Sequence, residues 1–158
     1  APVLGGLTQI RDSQVFEELR GQAWAYQAEH GAPPEVFLAC LGQQRDFGAR
    51  QGFASNVLLV GGLHPAESHG GTPAEIAERA AQAGAKVAVL ASSAKVYADQ
   101  AVPVAEALKA AGVEKVYLAG QLAEAGEAPD GLFDGTIALG MNVVDFLNST
   151  FTTLGVTR

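Results

Sequence analysis

The stretch KVAVLASSAKVYADQAVPVAEALKAAGVEKVYLAG, residues 86–120, decides the fold. It opens on the apolar run KVAVLA (86–91) and closes on a second, KVYLA (115–119). Between them a helical stretch runs from about Tyr97 to Ala111 and stops at Gly112. Strand, helix, strand is the unit that lays two parallel strands side by side in one sheet. Pro103 fits badly in the middle of that helix and marks a late start or a kink.

Working outward, the same alternation recurs. EVFLAC (35–40), NVLLV (56–60) and TIAL (136–139) read as three further short strands. Their runs are nearly continuous rather than alternating, which indicates burial on both faces, as in a parallel sheet. Before the first strand, Val15, Phe16, Leu19, Ala23 and Tyr26 recur at spacings of three or four, an amphipathic helix over 13–29 with Asp12 or Ser13 as its N-cap. Gly31 and the Pro33-Pro34 pair end it, and residues 1–10, with two adjacent glycines, read as linker or arm. Thr72-Pro73-Ala74-Glu75 carries a capping box and starts a helix that runs through Ala80 and stops at Gly84. The last helix, 142–154, takes Asn142 as cap, Val143, Phe146, Leu147 and Phe151 as inner stripe and Gly155 as stop. Residues 120–134 read as loop with at most a short helix.

Five strands alternating with helices predict a doubly wound α/β domain, flavodoxin-like (Rossmann-like) in class, with strand order 2-1-3-4-5. The organisation expected is a linker and connector helix over 1–34 and one α/β domain over 35–158. Hydrophobic residues make up 48% of the 158-residue chain, enough for one packed core. Seventeen acids against ten bases give a net charge of −7, which argues against nucleic acid or an anionic membrane as partner. The single cysteine, Cys40, excludes an intrachain disulfide and a cysteine-cluster zinc site, and suits a reducing cytoplasm. No apolar run is long enough to span a bilayer. The chain opens on Ala1 with neither an initiator Met nor a signal pattern, so a fragment of a longer polypeptide is expected.

In such sheets ligands sit beyond the carboxyl ends of the strands. The residues that follow each expected strand are 41–50, 61–71, 92–97, 120–124 and 140–142. The first turn, LGQQRDFGAR, holds only Gly42 and Gly48, so the dinucleotide fingerprint fails. A P-loop and a nucleophile elbow are absent. The places of a phosphoacceptor Asp and its Lys hold Ser92 and Gly140. His69-Gly70-Gly71 gives backbone room before the Thr72 cap rather than an oxyanion hole. His30, His64 and His69 lack metal-ligand spacing and any bracketing carboxylate pair, so they read as solvent-facing loop histidines and no metal site is expected. Cys40 reads as a small buried hydrophobe. Trp24 lies off its helix's stripe and either packs on the domain or faces a partner.

Three segments carry a more specific signal: PPEVFLACLGQQRDFGARQGFAS, ASSAKVYADQAVPVAEALKAAGVEKVYLAG and GMNVVDFLNSTFTTLGV. Together they resemble the carboxyl-terminal, cobalamin-binding-like domain of the small subunits of heterodimeric methylmalonyl-CoA mutases. The family's cobalamin signature is Asp-x-His-x-x-Gly, then Ser-x-Leu, then Gly-Gly. With Gly48 as the fixed glycine, the Asp place holds Gln43 and the His place Arg45. Ser92 keeps the serine of the second motif while Ala94 replaces its leucine. Ala119 replaces the first glycine of the third, and Gly120 keeps the second. A guanidinium has no lone pair for cobalt and stays protonated at any working pH.

The resemblance therefore implies a kept fold with lost cofactor chemistry. Gln43, Arg45, Gly48, Ser92, Ala94, Ala119 and Gly120 would line a degenerate pocket, with no catalytic residue and no cobalamin bound by this domain. The large catalytic subunit would hold cobalamin and interconvert methylmalonyl-CoA and succinyl-CoA, and this domain would support the heterodimer. The alternative is a functional carrier that grips cobalamin through backbone contacts without a histidine ligand. An unrelated flavodoxin-like enzyme or sensor is a third reading, with no nucleophile–base pair to support it. If cobalamin did bind, His64 or His69 would be the ligand to suspect. Arg45 either pairs with Asp46 on the surface or fills the vacated pocket.

Overall fold

The computed structural model describes residues 6–126, 128–129, 131–138 and 141–156. Helix α1 (Gly6–His30) leads into strand β1 (Glu35–Cys40), helix α2 (Gln44–Val60), strand β2 (His64–His69) and helix α3 (Pro73–Gln82). Strand β3 (Val87–Ala91), helix α4 (Ala94–Ala110) and strand β4 (Lys115–Ala119) follow. A 3-10 turn (Leu122–Ala125), strand β5 (Gly135–Ile137) and helix α5 (Val143–Leu154) complete the chain. The five strands form one all-parallel sheet in the order β2-β1-β3-β4-β5, the expected flavodoxin-like wiring.

The alternation of side chains along each inner strand builds two cores. Val36, Leu38, Cys40, Val87, Val89 and Ala119 face α2 and α5, and α1 adds Leu19 and Ala23 to the same cluster. Phe37, Ala39, Ala88, Leu90, Val116 and Leu118 face α3 and α4 on the other side. Both faces of β1, β3 and β4 are thus covered by helices, which is why their sequences read as unbroken apolar runs.

One expected strand is elsewhere. NVLLV (56–60) is the last part of α2, with Val57 and Leu58 buried and Leu59 and Val60 exposed. A short apolar run has no period of its own and fits either element. The true second strand is HPAESH, His64–His69, in which only Ser68 is buried. It pairs on one side alone, with β1, and Pro65 is compatible with such an edge position. Between α2 and β2 the chain turns at Gly61-Gly62. Gly62 has φ +82, and a Cβ there would lie 2.9 Å from the Ala23 methyl group, so α1 seats directly on this turn.

Other boundaries also shift. Helix α1 begins at Gly6, so Asp12 and Ser13 lie inside it rather than capping it, and residues 6–10 are helix rather than arm. No proline interrupts the chain between those points. Residues 1–5 of the expected arm, and Leu139 and Gly140 after β5, lie outside the described residues. Helix α4 starts at Ala94, capped by the Ser93 hydroxyl, which accepts the Val96 N–H at 3.3 Å. Pro103 sits inside that helix on its exposed side. The Thr72–Glu75 capping box, the Asn142 cap and the left-handed Gly155 stop are as the sequence indicates.

Candidate functional site

The carboxyl ends of β1, β3 and β4 meet at one edge of the sheet, and the side chains there bond to one another. Ser92, fully buried just after β3, donates its hydroxyl to the Leu41 carbonyl at 2.7 Å and so ties the end of β3 to the end of β1. The Ser92 N–H donates to the Tyr97 hydroxyl oxygen at 3.0 Å. The single proton of that hydroxyl lies between the carbonyls of Ala119 (2.5 Å) and Leu90 (3.0 Å), which joins β3 to β4. Burial pushes the Tyr97 phenol up to about 12, so it stays a donor across the working range.

Above Tyr97 lies Arg50, from the second turn of α2. Its guanidinium carbon is 5.5 Å from the centroid of the Tyr97 ring. Nη1 donates to the Ser92 carbonyl at 3.1 Å and to the Glu124 carboxylate, and Nη2 donates to the second Glu124 oxygen at 3.0 Å. This two-pronged pair is only partly exposed. The bond to Glu124 holds the Arg50 pKa above its ordinary value. Gly120 has φ +132, and a Cβ on it would fall 2.7 Å from both Arg50 Nη1 and Glu124 Oε1. The ion pair thus occupies the space that the missing side chain leaves. Beside it a pocket of about 310 Å³ remains, lined by Phe53, Ala119, Gly120, Gln121, Ile137 and Ala138 along with Arg50.

Of the seven residues expected around a degenerate pocket, Ser92, Ala119 and Gly120 come together around Arg50 and Tyr97. Gln43, Arg45 and Ala94 lie exposed, and Gly48 sits within α2. The segment read as a long first turn is mostly helix, because α2 begins at Gln44. Asp46 in its first turn accepts the Gln43 N–H at 3.0 Å, so it is not paired with Arg45. Among the described residues nothing hydrogen-bonds or ion-pairs with the Arg45 guanidinium. Arg50 fills the crevice, one turn further along the helix.

The three histidines face solvent as expected, but they lie in a helix and a strand rather than in loops. His30 ends α1 and stacks on Tyr26 with ring centroids 3.9 Å apart. His64 and His69 open and close the same strand, so only His69 lies at the carboxyl edge. Both face a carboxylate: His64 is 3.9 Å from Glu35, and His69 is 2.8 Å from Glu67. Trp24 is 74% exposed, so it does not pack on the domain.

Sequence reasoning missed Arg50, Glu124 and Tyr97. Arg50 and Glu124 are 74 positions apart, and no local pattern links them. The available signal was that both, like Tyr97, follow a strand on the carboxyl side of the sheet.

The arrangement defines a class: a flavodoxin-like α/β domain whose carboxyl edge is bridged by its own side chains at the ends of β3 and β4. No protein-family model matches the sequence. Among curated proteins the chain is 47% identical over 161 residues to the methylmalonyl-CoA mutase small subunit of Propionibacterium freudenreichii subsp. shermanii, covering 100% of this chain and 25% of that one. It is 42% identical to the Streptomyces virginiae small subunit, covering 96% and 24% respectively. The probable small subunit of Mycobacterium bovis is 34% identical over 89% of this chain and 23% of its own. The chain is homologous over its full length to part of the methylmalonyl-CoA mutase small subunit, and it spans about a quarter of the length of the relatives it matches.

Among the described residues no helix is long and apolar enough to cross a membrane.

Proposed function

We propose that this chain is the carboxyl-terminal domain of a mutase small subunit that keeps a cobalamin-domain fold without holding cobalamin. In this reading it catalyses nothing itself and serves the assembly of a cytoplasmic heterodimer with the large subunit. The large subunit then carries the cofactor and the interconversion of methylmalonyl-CoA and succinyl-CoA.

The observation that carries the reading is the Arg50–Glu124 pair lying across the ends of β3 and β4, bonded to Ser92 and packed against Gly120. A cofactor tail entering there would have to displace a two-pronged charged pair and leave the Ser92 carbonyl without its donor. Arg45, at the family's histidine place, adds a cation with no lone pair.

The test is a titration of the 158-residue chain with hydroxocobalamin and adenosylcobalamin. No shift in the visible spectrum is expected. The double change Arg45→His with Gln43→Asp is expected to remain silent too, since Arg50 still occupies the edge. A stoichiometric shift in the unaltered chain overturns the cobalamin-free reading. It would favour the alternative, a carrier gripping the cofactor by backbone contacts, for which the pocket beside Phe53 and Ile137 is the place. The assembly role is tested by copurifying the large subunit with small subunits that have or lack this domain. Recovery is expected to fall without it, and unchanged recovery refutes that role.

A further inference from the structure

The other half of the carboxyl edge carries a different set of groups. Cys40 ends β1 and lies in register with His69, which ends β2. Glu67 stands two residues before His69, on the same face of that strand. One sulfur, one carboxylate oxygen and one imidazole nitrogen all fall within 4.8 Å of one another. We infer that Cys40, Glu67 and His69 form a binding site for a divalent transition metal of the zinc class.

The donor set selects the metal. A thiolate, an imidazole and a carboxylate suit Zn²⁺ or Co²⁺, whereas Mg²⁺ and Ca²⁺ prefer oxygen alone. Bonds of about 2.0–2.3 Å around a tetrahedral ion place ligand atoms about 3.3–3.8 Å apart. The widest pair therefore closes by up to about 1 Å while His69 Nε2 and Glu67 Oε1, 2.8 Å apart, part slightly to admit the ion, movements open to these half-exposed side chains. Water supplies the fourth position from the solvent side.

The surroundings already orient the ligands. Gln51 Nε2 donates at 2.7 Å to the Glu67 oxygen that does not face His69. The Phe47 ring braces the imidazole, with centroids 4.9 Å apart. Such outer partners fix the rotamer of a ligating carboxylate or histidine. The fully buried Cys40 thiol is inert in the metal-free chain, because burial, with Glu67 close by, pushes its pKa up to about 12. On binding, the S–H bond breaks, its proton leaves to solvent and the sulfur's electron pair forms the bond to the metal.

Co²⁺, whose electronic spectrum reports its ligands, is the probe. Titration of the full 158-residue chain is expected to saturate at one equivalent, with a thiolate-to-metal charge-transfer band in the near ultraviolet and tetrahedral bands in the visible. Zn²⁺ is expected to displace it and bleach both. Cys40→Ala removes the charge-transfer band, and His69→Ala weakens binding at least tenfold, while His64→Ala at the other end of β2 changes nothing. Absence of the thiolate band at saturating Co²⁺ overturns the inference, as does unchanged affinity in His69→Ala. Should Cys40→Ala fail to fold, His69→Ala and Glu67→Gln, both on the exposed edge, decide the matter alone.

Discussion

The two halves of the carboxyl edge differ in who satisfies their polar groups. At the ends of β3 and β4, Ser92, Tyr97, Arg50 and Glu124 bond to each other and to backbone carbonyls. At the ends of β1 and β2, Glu67 and His69 stand half in water above a buried thiol. A junction between interior strands has no water to spare for an unpaired group, so the chain must supply every partner itself. An edge strand is wetted along one side, and its polar residues stay available for another ligand. Closure at the edge of a sheet is thus a local property, decided strand by strand.

The comparison can be broken at four points. Leu118→Ala on β4 is expected to cost about 2–5 kcal/mol in urea denaturation, since Leu118 is fully buried between the sheet and the α4 side. A loss under about 1 kcal/mol would mean the interior strands are not the rigid half. Next is Tyr97. The folded chain holds its phenolic proton more tightly than the unfolded chain, raising the pKa from 10.0 to about 12. The stability this contributes is intact below pH 10 and drains away as pH rises towards 12, by about 2–3 kcal/mol in all. Tyr117 shifts in the same direction, so the difference between the unaltered chain and Tyr97→Phe isolates the effect. A pH–stability curve that Tyr97→Phe leaves unchanged would remove Tyr97 from the seal.

Arg50→Met comes third. It strips the Glu124 carboxylate and the Ser92 carbonyl of their donor and is expected to cost about 1–2 kcal/mol, held down because the pair is partly exposed. Combined with Glu124→Gln the loss should fall short of the sum of the single changes, and simple additivity would show that the two residues are uncoupled. Smallest is His64→Ala, whose half-exposed pairing with Glu35 at 3.9 Å leaves stability within about 0.5 kcal/mol by thermal melting.

The same contrast explains what could be read from the chain beforehand. Strands β1, β3 and β4 announce themselves because both faces are covered, and their apolar runs have no other use. Strand β2 carries His64, Pro65, Glu67 and His69 on a wetted edge, so nothing in its composition says strand. The apolar run NVLLV, three residues before it, drew the assignment instead, although it is the end of α2. That helix hides its period: Gly48 and Gly52 interrupt its stripe, and its buried positions reduce to Phe47, Ala54, Val57 and Leu58. Caps were legible at Thr72 and Asn142 because a cap is a matter of three or four adjacent residues. The Arg50–Glu124 pair was not, because its two halves meet only after the sheet has formed. That Arg45 offers no lone pair was plain in the letters, but that Arg50 would lie over the ends of β3 and β4 was not.

Gly120 shows how much a missing side chain can make room for. Here its bare backbone makes room for a guanidinium and a carboxylate, both from this same polypeptide. The gap is thus filled from within, and the ion pair is its tenant. An alanine at that position would evict the tenant first, and the disturbance would register in α2 and the 3-10 turn before it reached any strand.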